Sequence, residues 1–168
     1  MYRSEGNDDQ ASWALAAMTA AENRFPLPPG ADPSTSWVQL AQNVFDSQAA
    51  RWDNETCGGG LRWQIFTFNN GYNYKNSLSN GHFVQLAARL GKYTGNDTYF
   101  NWAETATQWL LDVGLISNAT ESAGGVFDGT SVTSNCSQVN HIQWTANAGT
   151  LISGSSYAYN SVRLAIPM

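Results

Sequence analysis

Helical periodicity governs most of the chain. From Asp8 to about Arg24 the residues are small and apolar nearly all round, Trp13, Ala16, Ala17, Ala20 and Ala21 among them, and such a helix is ordinarily buried. The run FPLPPGADPSTS then breaks the chain with four prolines. From Trp37 to Trp52 the spacing of Trp37, Leu40, Ala41, Val44 and Phe45 predicts a one-sided amphipathic helix. A long loop rich in Gly, Asn and aromatics follows, with a short hairpin expected around Asn69-Asn70-Gly71. A third helix is predicted from about Ser77 to Tyr93, with Phe83, Leu86, Ala87 and Leu90 on one face. A fourth runs from Asp97 to Val113, carrying Tyr99, Trp102, Ala103, Ala106, Trp109 and Leu110 on one face. A fifth, small on several sides, is expected from about Val139 to Tyr159.

These helices alternate in character as buried, one-sided, mixed, one-sided and buried. The first, third and fifth start near positions 8, 77 and 140, spacings of 69 and 63 residues. That is a weak repeat of helix hairpins, each placed beside the last. Buried inner helices backed by one-sided outer ones are what an all-α toroid requires. The predicted fold is therefore a partial α/α toroid of about five helices in consecutive hairpins. A closed ring of six such hairpins needs a chain more than twice as long.

Composition narrows the ligand. Charged residues make up 12% of the 168, about half of the usual share of roughly 25%. Aromatics also reach 12%, with seven Trp. The polar surface must then come from Asn, Gln, Ser, Thr and Gly, which suits a neutral hydrogen-bonding ligand. A net charge of −5, with no basic stripe, excludes a nucleic-acid partner, whose phosphates call for Lys and Arg. His82 and His141 are isolated and no CxxC occurs, so no metal site is expected. No stretch approaches a membrane span.

Four sequons, at Asn54, Asn96, Asn118 and Asn135, favour a secreted glycoprotein. In that compartment Cys57 and Cys136 would be oxidised to each other, which adds about 3–5 kcal/mol. Yet MYRSEGNDDQ has no apolar signal core. Two readings follow: a cytosolic chain with idle sequons, or a secreted protein whose leader precedes these residues.

The chemistry centres on Asp8 and Asp9. Acidic residues at a helix start cap free N–H groups and complement the dipole, and spacing alone favours that role. Two carboxylates about 5–5.5 Å apart can also cleave a sugar bond, one as nucleophile and one as acid/base, and adjacent side chains at a helix start can reach that separation. Trp52, Trp63, Phe66, Phe68, Tyr72 and Tyr74 are interleaved with Asn69, Asn70, Asn73 and Asn76. Rings and amides of this kind suit the C–H faces and hydroxyls of a saccharide, or simply pack the loop. Gly58-Gly59-Gly60 lacks a phosphate-loop frame and reads as a tight turn.

The ordered blocks GNDDQASWALAAM, QAARWDNETCGGGLRWQI, GYNYKNSLSNGHFVQLAARLGKYTGN, YFNWAETATQWL, VFDG and NHIQWTANAG resemble glycoside hydrolase family 76, most closely its fungal cell-wall endo-α-1,6-mannanases. The resemblance covers residues 6 to 160. It defines a partial catalytic domain over 1–160 and a non-matching tail over 161–168. It implies an (α/α)6 toroid and retaining hydrolysis or transfer on α-1,6-mannan, with no metal or cofactor. Asp8 would be the nucleophile and Asp9 the general acid/base. It also implies a Cys57–Cys136 pair and a secreted, wall-bound or GPI-anchored protein; neither a leader nor an anchor signal lies within the 168 residues. Asn54, Asn96 and Asn118 are the expected glycosylation sites. Trp63, Tyr72, Asn76, Asn80, Gln143 and Trp144 are expected to line the glycan cleft. The family's further hairpins are missing from this stretch, so a truncated and inactive chain is also expected. The alternatives are a non-catalytic mannan-binding or wall-interaction protein, and a fragment without function.

Overall fold

The computed structural model describes residues 5–32, 34–117 and 125–164, with side chains described through residue 159. Five helices dominate: α1 Asn7–Glu22, α2 Trp37–Ala49, α3 Ser77–Thr94, α4 Asp97–Asp112 and α5 Thr145–Leu164. Three short strands, β1 Tyr74–Asn76, β2 Phe127–Ser131 and β3 Val139–Gln143, form an antiparallel sheet in the order β1-β2-β3. The helices start on side-chain caps where the sequence supplies them. Ser36 accepts the Gln39 amide, Asn76 the Ser79 amide and Asn96 the Thr98 amide. Gly95 ends α3 in the left-handed region at φ 71°. The Asn96 sequon thus carries a helix cap, the Asn54 side chain is exposed, and Asn118 lies outside the described residues.

α3 is the centre of the molecule. Phe83, Leu86, Ala87, Ala88 and Leu90 are wholly buried. The α3 ring of Phe83 stacks on Phe45 of α2 at 5.2 Å and meets Trp102 of α4 edge-on at 5.7 Å. Arg89 crosses to α1, donating to both carboxylate oxygens of Glu22 at 3.0 and 2.9 Å.

The expected grading of the helices is corrected here. α3, read as mixed, is the most enclosed, while α1 and α5, read as buried, are half open. Trp13 is 79% exposed and Ile152 67%. The reason is position: α3 packs on both α1 and α5, whereas those two share only α3 as an inner neighbour. An apolar groove of about 1180 Å³ accordingly follows the outer side of α1, between Trp13, Ala16, Ala20, Phe25 and Leu40.

Two further expectations change. Residues 139–143 open no helix; they are β3, pairing with β2 with a bulge between Phe127 and Gly129. Val139 and Ile142 stand three apart, a helical spacing, and it is the hydrogen-bonded pairing with β2 that makes the segment a strand. Asn69-Asn70-Gly71 makes a turn, closed by the Tyr72 amide on the Asn69 carbonyl, but its flanks form no hairpin ladder among the described residues. β1 pairs with β2 instead. α5 runs on to Leu164, so the boundary drawn at 160 falls inside a helix.

Behind β1 lies a tight polar knot. Lys75 is fully buried, and its ammonium donates to the carbonyls of Asp53, Thr56 and Gly59 at 3.2, 2.8 and 2.5 Å. Asp53 also pairs with Lys75 at 3.3 Å and with Arg62 at 2.8 Å. Cys57, in the same loop, is disulfide-bonded to Cys136, 79 positions away.

Candidate active site

α1 begins at Gly6, whose extended backbone (φ −87°, ψ 158°) precedes Asn7, Asp8 and Asp9. Asp9 takes up the capping role: its Oδ2 accepts the Gly6 amide at 2.9 Å. Asp8 turns elsewhere. Its Oδ2 accepts the Trp63 indole N–H at 3.1 Å, and its Oδ1 is buried with no hydrogen-bond partner among the described residues. No cation pairs with Asp8 among those residues. Burial, and then the charge of Asp9, raises the Asp8 carboxyl above its ordinary 3.8, while backbone N–H groups and the indole pull the other way. His82 of α3 meets the Asp8 carbonyl through Nδ1 at 3.3 Å. Burial lowers the imidazole pKa, so the ring is neutral near pH 7 and Nδ1–H is the donor.

The aspartates are held by a scaffold that reading the sequence did not single out. Asn7 is 2% exposed. Its amide N–H donates to the Trp63 carbonyl at 2.8 Å and its Nδ2 to the Arg62 carbonyl at 2.7 Å. Arg51 grips Asn7 Oδ1 at 3.1 and 2.8 Å, and Gln48 donates to the Asn7 carbonyl at 2.7 Å. Only the asparagine's place at a helix start hinted at this, because its partners lie more than 40 positions away.

Asn76 and Asn80, expected in the cleft, are buried. Asn76 caps α3, and Asn80 pairs with both backbone groups of Leu61, accepting at 2.8 Å and donating at 3.0 Å. They fix the segment that presents Trp63. Gly71, at φ 94°, lies where any Cβ would strike the Trp63 ring. Tyr72 faces a separate polar recess of about 290 Å³ with Arg51, Asp53 and Gln64, its ring 4.6 Å from the Arg62 guanidinium.

A second centre forms around Asp128 on β2, inside the VFDG block. Tyr74 donates its hydroxyl to Asp128 Oδ2 at 2.7 Å, Asn140 donates to the same oxygen at 3.1 Å, and Trp144 donates its indole N–H to Oδ1 at 3.0 Å. Burial, reinforced by the Asp128 bond, pushes the Tyr74 phenol up to about 12. Trp144 is 56% exposed, and Gln143 beside it lies against Gly125. The two centres share a joint, because the Trp63 amide donates to the Tyr74 carbonyl at 2.7 Å. The site therefore offers a desolvated carboxylate, a neighbouring exposed one, and two indoles that each anchor an acid. The described residues contain no group of three or more His, Cys, Asp or Glu able to hold a metal ion.

The five helices form a sector of an α/α toroid, with paired carboxylates at the start of α1. The pattern of Glycosyl hydrolase family 76 matches residues 1–163, and the chain belongs to that family. It is similar to mannan endo-1,6-alpha-mannosidase DCW1 of Saccharomyces cerevisiae, at 55% identity over 93% of this chain and 34% of that protein. DFG5 of the same yeast, also a mannan endo-1,6-alpha-mannosidase, is 48% identical over 94% of this chain and 33% of its own length. Among solved structures, Dfg5 from Chaetomium thermophilum in complex with glucosamine superposes with a TM-score of 0.86 at 46% identity, covering 94% of this chain and 38% of that one. An inactive α-1,6-mannanase variant from a Salegentibacter species, in complex with α-1,6-mannotriose, shares the fold at a TM-score of 0.73 and 20% identity, over 94% of this chain and 42% of its own. The chain spans about a third of the length of the curated relatives it matches.

Proposed function

We propose that this chain carries the catalytic face of a retaining endo-α-1,6-mannosidase acting on mannan, with Asp8 as nucleophile and Asp9 as general acid/base. The observation that carries the reading is the aspartate pair itself: adjacent carboxylates at the start of α1, Asp8 half-buried and bonded to the Trp63 indole N–H beside the exposed Asp9. An Asp8 oxygen attacks the anomeric carbon, the glycosidic C–O bond breaks, and Asp9 gives its proton to the departing oxygen. Asp9, now ionised, takes a proton from the incoming hydroxyl, which displaces Asp8 and restores both groups. Water as that hydroxyl gives hydrolysis; a sugar hydroxyl gives transfer. Trp63, Trp144 and Asp128 supply ring and carboxylate contacts for the mannose chain. The names of the relatives support the α-1,6-mannan substrate. The disulfide and the exposed Asn54 support an extracytoplasmic, cell-wall setting.

The test is release of reducing ends from α-1,6-mannan by this chain and, in parallel, by the full-length Saccharomyces relative. Turnover abolished by Asp8→Asn and by Asp9→Asn is the expected result. Activity that survives either substitution removes the assignment.

A further inference from the structure

We propose that Gly6 is a positioning residue for the aspartate pair: its bare α-carbon is the surface on which both carboxylates are set, and any side chain there displaces them without unfolding the protein. The inference rests on the mannosidase reading for its catalytic consequence, though not for its geometry. A Cβ built on Gly6 falls inside the contact distance of Asp8 Oδ1 and 3.2 Å from Asp9 Oδ2. The backbone gives no reason for glycine here, since φ −87° and ψ 158° suit any residue. Gly71 and Gly95, at φ 94° and 71°, are different, because the left-handed region itself favours glycine. The room occupied by two carboxylates is thus what selects glycine at position 6.

The backbone cannot retreat from an added methyl. Glu5 accepts the Ile65 amide at 3.1 Å, Gly6 bridges to Gln64, and Asn7 donates to Trp63 at 2.8 Å. On the helix side Gln48 holds the Asn7 carbonyl. Asp8 Oδ1, by contrast, has no hydrogen bond to lose among the described residues. The side chain therefore yields, Asp8 rotates toward solvent, and the Trp63 bond to Oδ2 breaks with it. Asp9 is pushed off the Gly6 amide by the same methyl.

The experiment compares Gly6→Ala with Gly149→Ala on α5, where nothing lies within 4 Å of an added Cβ. Three quantities are measured on each: the melting midpoint, the Asp8 carboxyl titration by carbon NMR, and kcat and KM on α-1,6-mannan. Gly6→Ala is expected to keep the melting midpoint and KM, to move the Asp8 titration toward that of an exposed aspartate, and to lower kcat about 100-fold, the scale of a misplacement of about 1 Å. Gly149→Ala is expected to leave the Asp8 titration and kcat unchanged. An unchanged Asp8 titration in Gly6→Ala overturns the proposal, as does wild-type kcat or loss of the folded state. If the wild type releases no reducing ends while the Gly6→Ala titration still moves, the mannosidase reading fails and the positioning role stands.

Discussion

Asp8 and Asp53 are both half-enclosed carboxylates close to the segment 61–65, and their surroundings treat them in opposite ways. At Asp53 burial pushes the pKa up, but the Thr56 hydroxyl and the charges of Lys75 and Arg62 outweigh it and hold the group down to about 2. At Asp8 burial meets no cation among the described residues and the neighbouring Asp9 adds to it, so the pKa rises. Asp53 ties one loop together; Asp8 keeps an acid whose charge is poorly compensated. A carboxylate that a fold uses for support is surrounded by donors and cations, whereas one kept for chemistry is left short of them.

Substitutions at the two sites should separate these roles. The largest effect is expected from Asp8→Asn: a loss of about 10⁴-fold or more in kcat, the scale of removing a covalent nucleophile, with a thermal melt close to wild type. Next, replacing Cys57 and Cys136 together by Ser should lower stability by about 4–5 kcal/mol in denaturant unfolding, since the bond closes a separation of 79 residues. Asp53→Asn should cost about 3 kcal/mol, because the buried Lys75 ammonium loses its counter-charge. Equal stability losses for Asp8→Asn and Asp53→Asn would erase the distinction. Trp63→Phe should lower kcat about tenfold, from loss of one hydrogen bond to a charged group, and raise the Asp8 titration further, because the bond it removes favours the ionised form.

The pH dependences carry opposite signs. Asp53 stabilises the fold above the ordinary carboxylate range, and that contribution is lost as pH falls toward about 2. Asp8 is held above its unfolded value, so its contribution grows as pH falls through the raised pKa and is lost as pH rises through it. Catalysis by ionised Asp8 should then show an acid limb above 3.8 in a kcat/KM profile, at pH values where the melting temperature is not yet falling.

The bounds of α3 and α4 were legible from the chain. The predicted Asp97–Val113 ends one residue beyond α4, and the predicted Ser77–Tyr93 one residue short of α3, because their apolar stripes and Asn caps are local signals. Burial of whole helices was not legible, since it depends on how many neighbours flank each one: Trp13 looks like a core residue in sequence and faces outward in space. β3 was read as helix because Ala146, Ala148 and Gly149 continue past it, and only pairing with β2 marks the strand. At the site the aspartate pair stood out as a motif. The support for it did not. Asn80 looks like a polar cleft residue until its amide is seen closed on Leu61. Asp128 collects donors from Tyr74, 54 positions before it, and from Asn140 and Trp144, 12 and 16 positions after it, which no spacing rule reveals.

The single backbone bond from Trp63 to Tyr74 has a consequence for how such a cleft can diversify. With residues 64 and 65 tied back to Gly6 and Glu5 and Asn73 accepting the Val132 amide, only residues 66–70 project beyond it, while Asp8 on one side and Asp128 on the other are referenced to the same fixed point. The tip at 66–70 can therefore be lengthened, shortened or rewritten, altering which glycan branches or chain lengths are admitted, without resetting the gauge between the two acids.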